Sequence, residues 1–323
     1  MQGKATPENS AIDRVYVGID VCKDWLDVYL HPIGRAFREP NTREGLKTIR
    51  RRIAKLPVAS IVMEATAKYH RLAHRTLSAA GFAVAVVNPM RSRLFAEATG
   101  QLAKTDRLDA RILAILGHGL EPRTSAPAPV EIEELQELVR ARVTAIANQT
   151  ALANQLAASQ TAFLKAELRR QLKTIATHIS HLEAEIAARI DRDPVLKRRY
   201  DIVLSIPGIG PVAAVALVVG LPELGTCTGK AASLIAGLAP LACDSGDKAG
   251  QRRIKGGRGH VRTSLYFAAI AAARFNPSLA AVYKRLRHAG KKPKVAITAI
   301  MRKLVVLANT LIGQNRQWQP IHA

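Results

Sequence analysis

Aromatic side chains are scarce in this chain, at 4% of 323 residues. A surface that holds single strands by stacking successive bases needs more of them, so that mode of binding is a poor fit. Cysteine is scarcer still: Cys22, Cys227 and Cys243 are odd in number and form no CxxC pair. That argues against a disulfide framework or a zinc ribbon and fits a reducing cytosol. Met1 to Asp13 is polar and lacks the apolar core of a secretory leader. No stretch reads as long and apolar enough for a membrane span; Val212 to Leu221 is apolar but short, and Pro222 closes it. Acids are also few. There are 25 of them against 48 Lys and Arg, so the formal net charge is 48 − 25 = +23.

An excess of that size favours a polyanionic partner, chiefly nucleic acid, through counterion release. The alternative is a generally solvated basic surface. The expected location is cytoplasmic, of a bacterial, nucleoid-associated kind, with no membrane partner. A chain of 323 residues suits two or three domains.

Val15-Tyr16-Val17-Gly18-Ile19-Asp20 alternates apolar residues and ends on an acid, which predicts a strand carrying a carboxylate at its tip. Asp24 to Leu30 alternates too and predicts a hairpin partner. Arg35 to Pro40 reads as a third, edge strand. A basic helix starts at Thr42 and runs to about Leu56. Ser60-Ile61-Val62-Met63-Glu64 predicts another strand with an acid at its end. A helix over 68–80, a buried-type strand over 82–87 and a break at Asn88-Pro89 follow. Asp106 and Asp109 stand three apart at the start of a further helix. The order β-β-β-α-β-α-β-α predicts a mixed sheet covered by helices. A lone acid on a strand is more often a turn former or a solubilising residue. Acids at the tips of neighbouring strands, with two more on a facing helix, can converge on a metal. His70 and His74, and His178 and His181, read as ordinary helix surface.

Pro122 to Pro129 is a linker. Helical sequence then runs to about Arg192, and Leu168, Leu172, Ile175, Ile179, Leu182 and Ile186 recur at coiled-coil spacing. They suit a helical hairpin packed on itself, a dimer seam, or both. Beyond Asp193-Pro194, Pro207-Gly208-Ile209-Gly210 is similar to a helix-hairpin-helix turn. Gly208 and Gly210 permit a tight turn whose backbone N–H groups, at a helix N-terminus, can hold a phosphate. A Gly/Lys/Arg-rich loop carries Arg252, Arg253, Lys255 and Arg258. Arg262 follows in the next helix, and Lys291, Lys292, Lys294 and Arg302 lie near the C-terminus. With Lys104, these are candidate phosphate contacts without a base code.

Four elements together carry a family resemblance: Gly18-Ile19-Asp20-Val21, Glu64-Ala65-Thr66-Ala67-Lys68-Tyr69, Lys104-Thr105-Asp106-Arg107-Leu108-Asp109-Ala110, and Pro207-Gly208-Ile209-Gly210 followed by Ser245-Gly246. In that order they resemble the transposases of insertion sequence family 110, RNA-guided recombinases that use a bridge RNA. The resemblance implies an α/β plus α fold. It comprises a RuvC-like, ribonuclease-H-type mixed-sheet domain over 13–125 after a flexible tail over 1–12. A coiled coil over 126–193 and a mostly helical C-terminal transposase domain over 194–323 complete it. It implies an acidic quartet at Asp20, Glu64, Asp106 and Asp109, and a nucleophilic serine at Ser245. Donor and target double-stranded DNA, a structured noncoding guide RNA and a homo-oligomer, dimer or tetramer, are the implied partners. One departure is Ala67, where the family usually has Gly.

The chemistry follows from the residue types. Carboxylates are hard oxygen ligands suited to Mg²⁺ or Mn²⁺. Asp106 and Asp109, at i and i+3, share a helix face. A serine hydroxyl is a weak nucleophile until activated. By itself Ser245 reads as a turn or helix-cap serine; the resemblance reverses that. Three functions therefore stand at this point: a DNA recombinase using acids, metal and serine; a RuvC-like junction nuclease using metal-activated water; and a non-catalytic nucleic-acid-binding protein.

Overall fold

The computed structural model describes residues 13–100, 106–242, 244, 250 and 252–320, with the backbone alone at Asp106 and Arg107. The chain divides into two compact units, Met1–Ala128 and Pro129–Ala323.

The first unit is built on β1 (Val15–Val21), β2 (Trp25–His31), β3 (Arg35–Pro40), β4 (Val58–Glu64) and β5 (Val84–Val87). They form one sheet in the order β3-β2-β1-β4-β5. The first three strands are antiparallel; β4 joins β1, and β5 joins β4, in parallel. The mixed sheet expected from the sequence is therefore present. Its helices are α1 (Arg43–Ile53), α2 (His70–Ala79), α3 (Pro89–Ala98) and α4 (Asp106–Leu120).

The period of two along β1 divides its side chains between two covered faces. Val15, Val17, Ile19 and Val21 enter a core with Leu46, Ile49 and Ile53 of α1 and Ala73 and Leu77 of α2. On the opposite face, Val62, Ala85 and Val87 pack on Leu113 and Leu116 of α4. The backbone of α4 lies so close to β1 that a Cβ on Gly18 would stand 2.0 Å from the Ala110 carbonyl oxygen.

Two local readings change. The sequence pattern shows Asn88-Pro89 only as a break, yet it also starts α3. Asn88 Oδ1 accepts the Met90 N–H at 2.8 Å, and Pro89 occupies the first helical position, where a missing N–H costs nothing. His74, expected on a helix surface, is buried. Its Nε2 lies 2.8 Å from the Ser125 carbonyl oxygen, so the ring N–H ties the inter-unit linker to α2.

The second unit opens with two long helices, α5 (Val130–Ala158) and α6 (Ala162–Arg192). Arg189 pairs with Glu134 and Arg142 with Glu183, each at 2.6 Å. As the α6 partner moves back along the chain, the α5 partner moves forward, so the helices run antiparallel. The predicted seam lies inside this hairpin: Leu168, Ile179 and Ile186 are buried, while Leu172, Ile175 and Leu182 are half-buried. Fully burying such a side chain contributes about 1.5–3 kcal/mol.

The remaining elements are α7 (Pro194–Leu204), α8 (Pro211–Gly220), α9 (Gly229–Ile235), a two-stranded ribbon of β6 (Pro240–Leu241) and β7 (Arg253–Ile254), α10 (Gly259–Phe275), α11 (Pro277–His288) and α12 (Pro293–Gly313). The ribbon and α11 are additions to the sequence reading. Helix α12 is a correction. It is long and apolar enough to cross a membrane by length and composition, contrary to the sequence reading. Here Ile300, Met301, Leu304, Val305, Ala308 and Leu311 belong to the core of the unit, with Val203, Leu217, Leu265 and Ala269. Its apolar length is thus accounted for by packing among the helices of this unit.

Candidate active site

The sheet places the acids in a row. In the parallel register Ile19 stands beside Met63, so Asp20 and Glu64 occupy the next positions on neighbouring strands. Across the antiparallel pair, Asp20 is opposite Asp27, and Asp27 is opposite Arg38. Cross-strand partners share a face, and this face also contains Gly18, which α4 covers.

The direction of α4 brings its first turn to the same end. Ala110 and Ala114 lie over Gly18, and Gly117 lies over Tyr16 and Val62. Farther along, the His118 ring is 5.1 Å from both Tyr16 and His31. Helix α4 therefore runs antiparallel to β1, and its N-terminal turn, with Asp106 and half-buried Asp109, points back toward the Asp20 and Glu64 end.

Glu64 has a partner that the sequence did not reveal. Buried Ser92 on α3 lies 2.5 Å from Glu64 Oε1 and 2.9 Å from the Pro89 carbonyl oxygen. The signal for it was the Asn88-Pro89 helix start. Asp27 was also missed. It is buried, and Arg38 grips it through Nε at 2.9 and 3.1 Å and Nη2 at 2.7 Å. That bidentate pair neutralises the carboxylate standing opposite Asp20, where two like charges would otherwise face each other.

An all-oxygen donor set of Asp and Glu fits a hard divalent cation. Among the described residues no three His, Cys, Asp or Glu side chains already stand close enough to share an ion. The Asp106 side chain, one of the predicted four, lies outside the described residues.

A family model for the DEDD transposase domain of IS110, described as a transposase, matches residues 17–164. A second, described as "Transposase IS116/IS110/IS902 family", matches residues 200–284. The chain belongs to the IS110 family of transposases. It is 26% identical to the pilin gene-inverting protein of Moraxella bovis over 94% of this chain and 98% of that one. The same identity and coverage hold for the pilin gene-inverting protein of Moraxella lacunata. An insertion element IS900 uncharacterized 42 kDa protein of Mycobacterium paratuberculosis is 25% identical over 73% of this chain and 65% of its own. Membership places the protein among enzymes that rearrange DNA.

Ser245 and Lys104 lie outside the described residues. Asp244 accepts the Gly250 N–H at 3.0 Å and pairs with Arg252 at 2.7 Å.

The other candidate phosphate contacts separate into two groups. Arg253, Lys255, Lys291, Lys292 and Lys294 are exposed, as is Arg252 beyond its pair with Asp244, and Arg302 is half-buried. Arg258 and Arg262 are engaged by protein groups. Arg258 grips Glu223 at 2.6 and 2.7 Å and donates to the Gly220 carbonyl at 2.8 Å. Burial acts to raise the Glu223 carboxyl, but the hydrogen bonds from Arg258 and the backbone outweigh it and hold the group below the usual range. Arg262 donates to the Gly237 and Gly256 carbonyls at 3.2 and 3.0 Å.

The predicted helix-hairpin-helix-like turn joins α7 to α8. Gly208 has φ +100°, and a Cβ there would meet the Ala272 backbone at 2.5 Å. Gly210 caps α8 in extended backbone, and no side chain satisfies the first N–H groups of that helix. The turn therefore retains the donors that a phosphate would use.

Proposed function

We propose that this protein is an RNA-guided DNA recombinase whose acidic centre is formed by Asp20, Glu64, Asp106 and Asp109 of a RuvC-like domain, with Ser245 as nucleophile. The observation that supports the acidic centre best is the register that sets Asp20 beside Glu64 under the start of α4. The four carboxylates would hold Mg²⁺ or Mn²⁺. Bound there, the cation would stabilise charge on the scissile phosphate and the leaving oxygen.

In the cleavage step the Ser245 Oγ bonds to the DNA phosphorus as the P–O3′ bond breaks. The serine proton is lost, and a proton is taken up by the departing 3′ oxygen. The product is a phosphoserine ester and a free 3′ hydroxyl. Attack by a 3′ hydroxyl of another strand reverses the chemistry and rejoins DNA, so the bond energy is conserved. Relatives named for inverting a pilin gene support rejoining over degradation.

The helix-hairpin-helix-like turn and exposed Arg252, Arg253, Lys255, Lys291, Lys292 and Lys294 suit backbone phosphates of donor and target DNA. Base pairing by a structured RNA would supply the sequence reading, because the basic residues carry no base code. A homo-oligomer, working in the cytoplasm on the nucleoid, completes the reading.

A second reading has one observation in its favour. Asp20, Glu64 and Asp109 all belong to the first unit, while Ser245 lies in the second unit's part of the chain. A metal-dependent junction nuclease that uses water would need only the first set. Denaturing electrophoresis with labelled substrate separates the two. Asp20→Asn or Glu64→Gln should abolish cleavage with binding nearly intact, and Ser245→Ala should form no covalent adduct. Normal cleavage by Ser245→Ala would establish the water-using nuclease instead.

A further inference from the structure

Helix α1 carries a basic stripe that the acidic site does not use. Its buried side is Leu46, Ile49 and Ile53, packed on the face of the sheet opposite the acids. Its outer side presents Arg43, Lys47, Arg50 and Arg51, and Lys55 just beyond the helix end, all exposed. Among the described residues, none of these five makes an ion pair. Arg52, by contrast, pairs with Glu39 at 2.9 Å and lies over the Phe37 ring at 4.7 Å.

Helix stability does not account for this arrangement. Cations in a last turn complement the helix dipole, which would explain Arg50 and Arg51. Arg43 stands in the first turn, where the dipole opposes a cation. Arg43, Lys47, Arg51 and Lys55 follow one another at intervals of four, and like charges at that spacing destabilise a helix. Glu44 is the single acid in the helix. Such a face retains its charge at a cost to the isolated helix.

We propose that the outer face of α1 is a second DNA-binding surface, holding the phosphate backbone of a duplex segment distinct from the one at the acids. The sheet separates the two sites, so one stretch of duplex does not serve both. Rearrangement brings separate DNA segments together, and a surface on the far side of the sheet suits that requirement. From Arg43 to Arg51 the stripe spans about 12 Å at 1.5 Å per residue. A B-form duplex carries a charge about every 1.7 Å of axis, so several phosphates face that length. Arg and Lys with no Asn or Gln among them suit backbone contact without base readout. This inference rests on DNA as partner and is independent of Ser245 and of the metal.

The test is the salt dependence of binding of the full chain to a short labelled DNA duplex. Replacing Arg43, Lys47 and Arg51 with Gln should reduce the slope of log affinity against log salt by about 2.7, at about 0.9 per phosphate contact. Arg50→Gln with Lys55→Gln should independently reduce it by about 1.8. The charge-preserving swap of Arg43→Lys, Lys47→Arg and Arg51→Lys should keep the wild-type slope. The slope is read from binding without divalent metal, so loss of cleavage and loss of this surface are read separately. Unchanged slopes in both Gln variants overturn the proposal, as does a change seen with duplex RNA and not with duplex DNA.

Discussion

Ser92 donates its hydroxyl to Glu64 Oε1 at 2.5 Å from a position that is itself buried. A carboxylate at a strand end has rotational freedom, and this contact holds one of its two oxygens against α3. Groups that orient a metal-binding carboxylate typically matter about 10- to 100-fold for metal affinity or activity. Ser92→Ala should therefore weaken Mg²⁺-dependent cleavage by that factor, with partial recovery at high Mg²⁺. A titration of cleavage against Mg²⁺ checks this. If Ser92→Ala lowers thermal stability but leaves the Mg²⁺ midpoint unmoved, Ser92 is only a packing residue.

Ala67, three residues beyond Glu64, has φ +41°. This is where the family usually has Gly, and the backbone explains the preference. A left-handed conformation costs a non-glycine residue about 1–2 kcal/mol, partly offset by the greater unfolded-state freedom of Gly. Because Ala67 is exposed, its methyl group contributes little packing. Ala67→Gly should stabilise the first unit by about 0.5–1 kcal/mol, and Ala67→Val should destabilise it. Denaturant unfolding followed by Trp25 in a Trp318→Phe background isolates this unit. A lower midpoint for Ala67→Gly would contradict the strain argument.

The strands and their terminal acids were legible because alternation with period two survives in sequence. Asp20 and Glu64 could be placed at tips before any pairing was known. What was illegible depended on tertiary contact. Asp27 looks like any strand acid until Arg38 is set opposite it by the β2–β3 register. Asn88-Pro89 signals both a stop and a start, and only the start matters for Ser92. The heptad spacing of Leu168 to Ile186 showed that a seam exists; the antiparallel ion pairs of α5 and α6 show its use within the chain. For Arg258 and Arg262, read as phosphate contacts, a sequence does not reveal that Glu223 and the Gly220, Gly237 and Gly256 carbonyls already take some of their N–H groups.

Two histidines should make stability depend on pH. Burial, then His118 and Arg111, lowers the His31 imidazole below its ordinary value. Partial desolvation beside Gly220, then Arg258 and Arg140, does the same to His260, which is otherwise exposed. Their unfolded counterparts titrate near about 6.5. Below that pH the unfolded chain binds protons that the folded chain resists. Stability should be fully present above it and should decline as pH falls from it through the folded values. Denaturant midpoints at pH 7.5 and 5.5 measure the decline, with Trp25 reporting one unit and Trp318 the other. His31→Gln should flatten the response of the first and His260→Gln that of the second. An undiminished response in both variants would assign the pH dependence elsewhere.

Gly18 has a reason that only the fold supplies. A Cβ there would stand 2.0 Å from the Ala110 carbonyl oxygen and 2.5 Å from the Ala114 amide nitrogen. Both are backbone atoms of α4, so no side-chain rotation relieves the clash. Ordinary contact begins near 3.4 Å, so α4 must retreat by about 3.4 − 2.0 = 1.4 Å. The residue two positions on, on the same sheet face, is Asp20, and the retreating helix carries Asp106 and Asp109. Gly18→Ala should thus separate the two halves of the acidic centre while leaving the basic surfaces in place. A displacement of about 1 Å can lower a rate about 100-fold, so cleavage should fall by at least that factor with DNA affinity changed less than about twofold. Gly119→Ala is the matched comparison. It lies on the same helix, and its Cβ meets nothing within 4 Å. That change should stabilise the helix by about 0.5–1 kcal/mol and leave cleavage intact. Cleavage by Gly18→Ala at half the wild-type rate or more would show that the position of α4 does not set the chemistry.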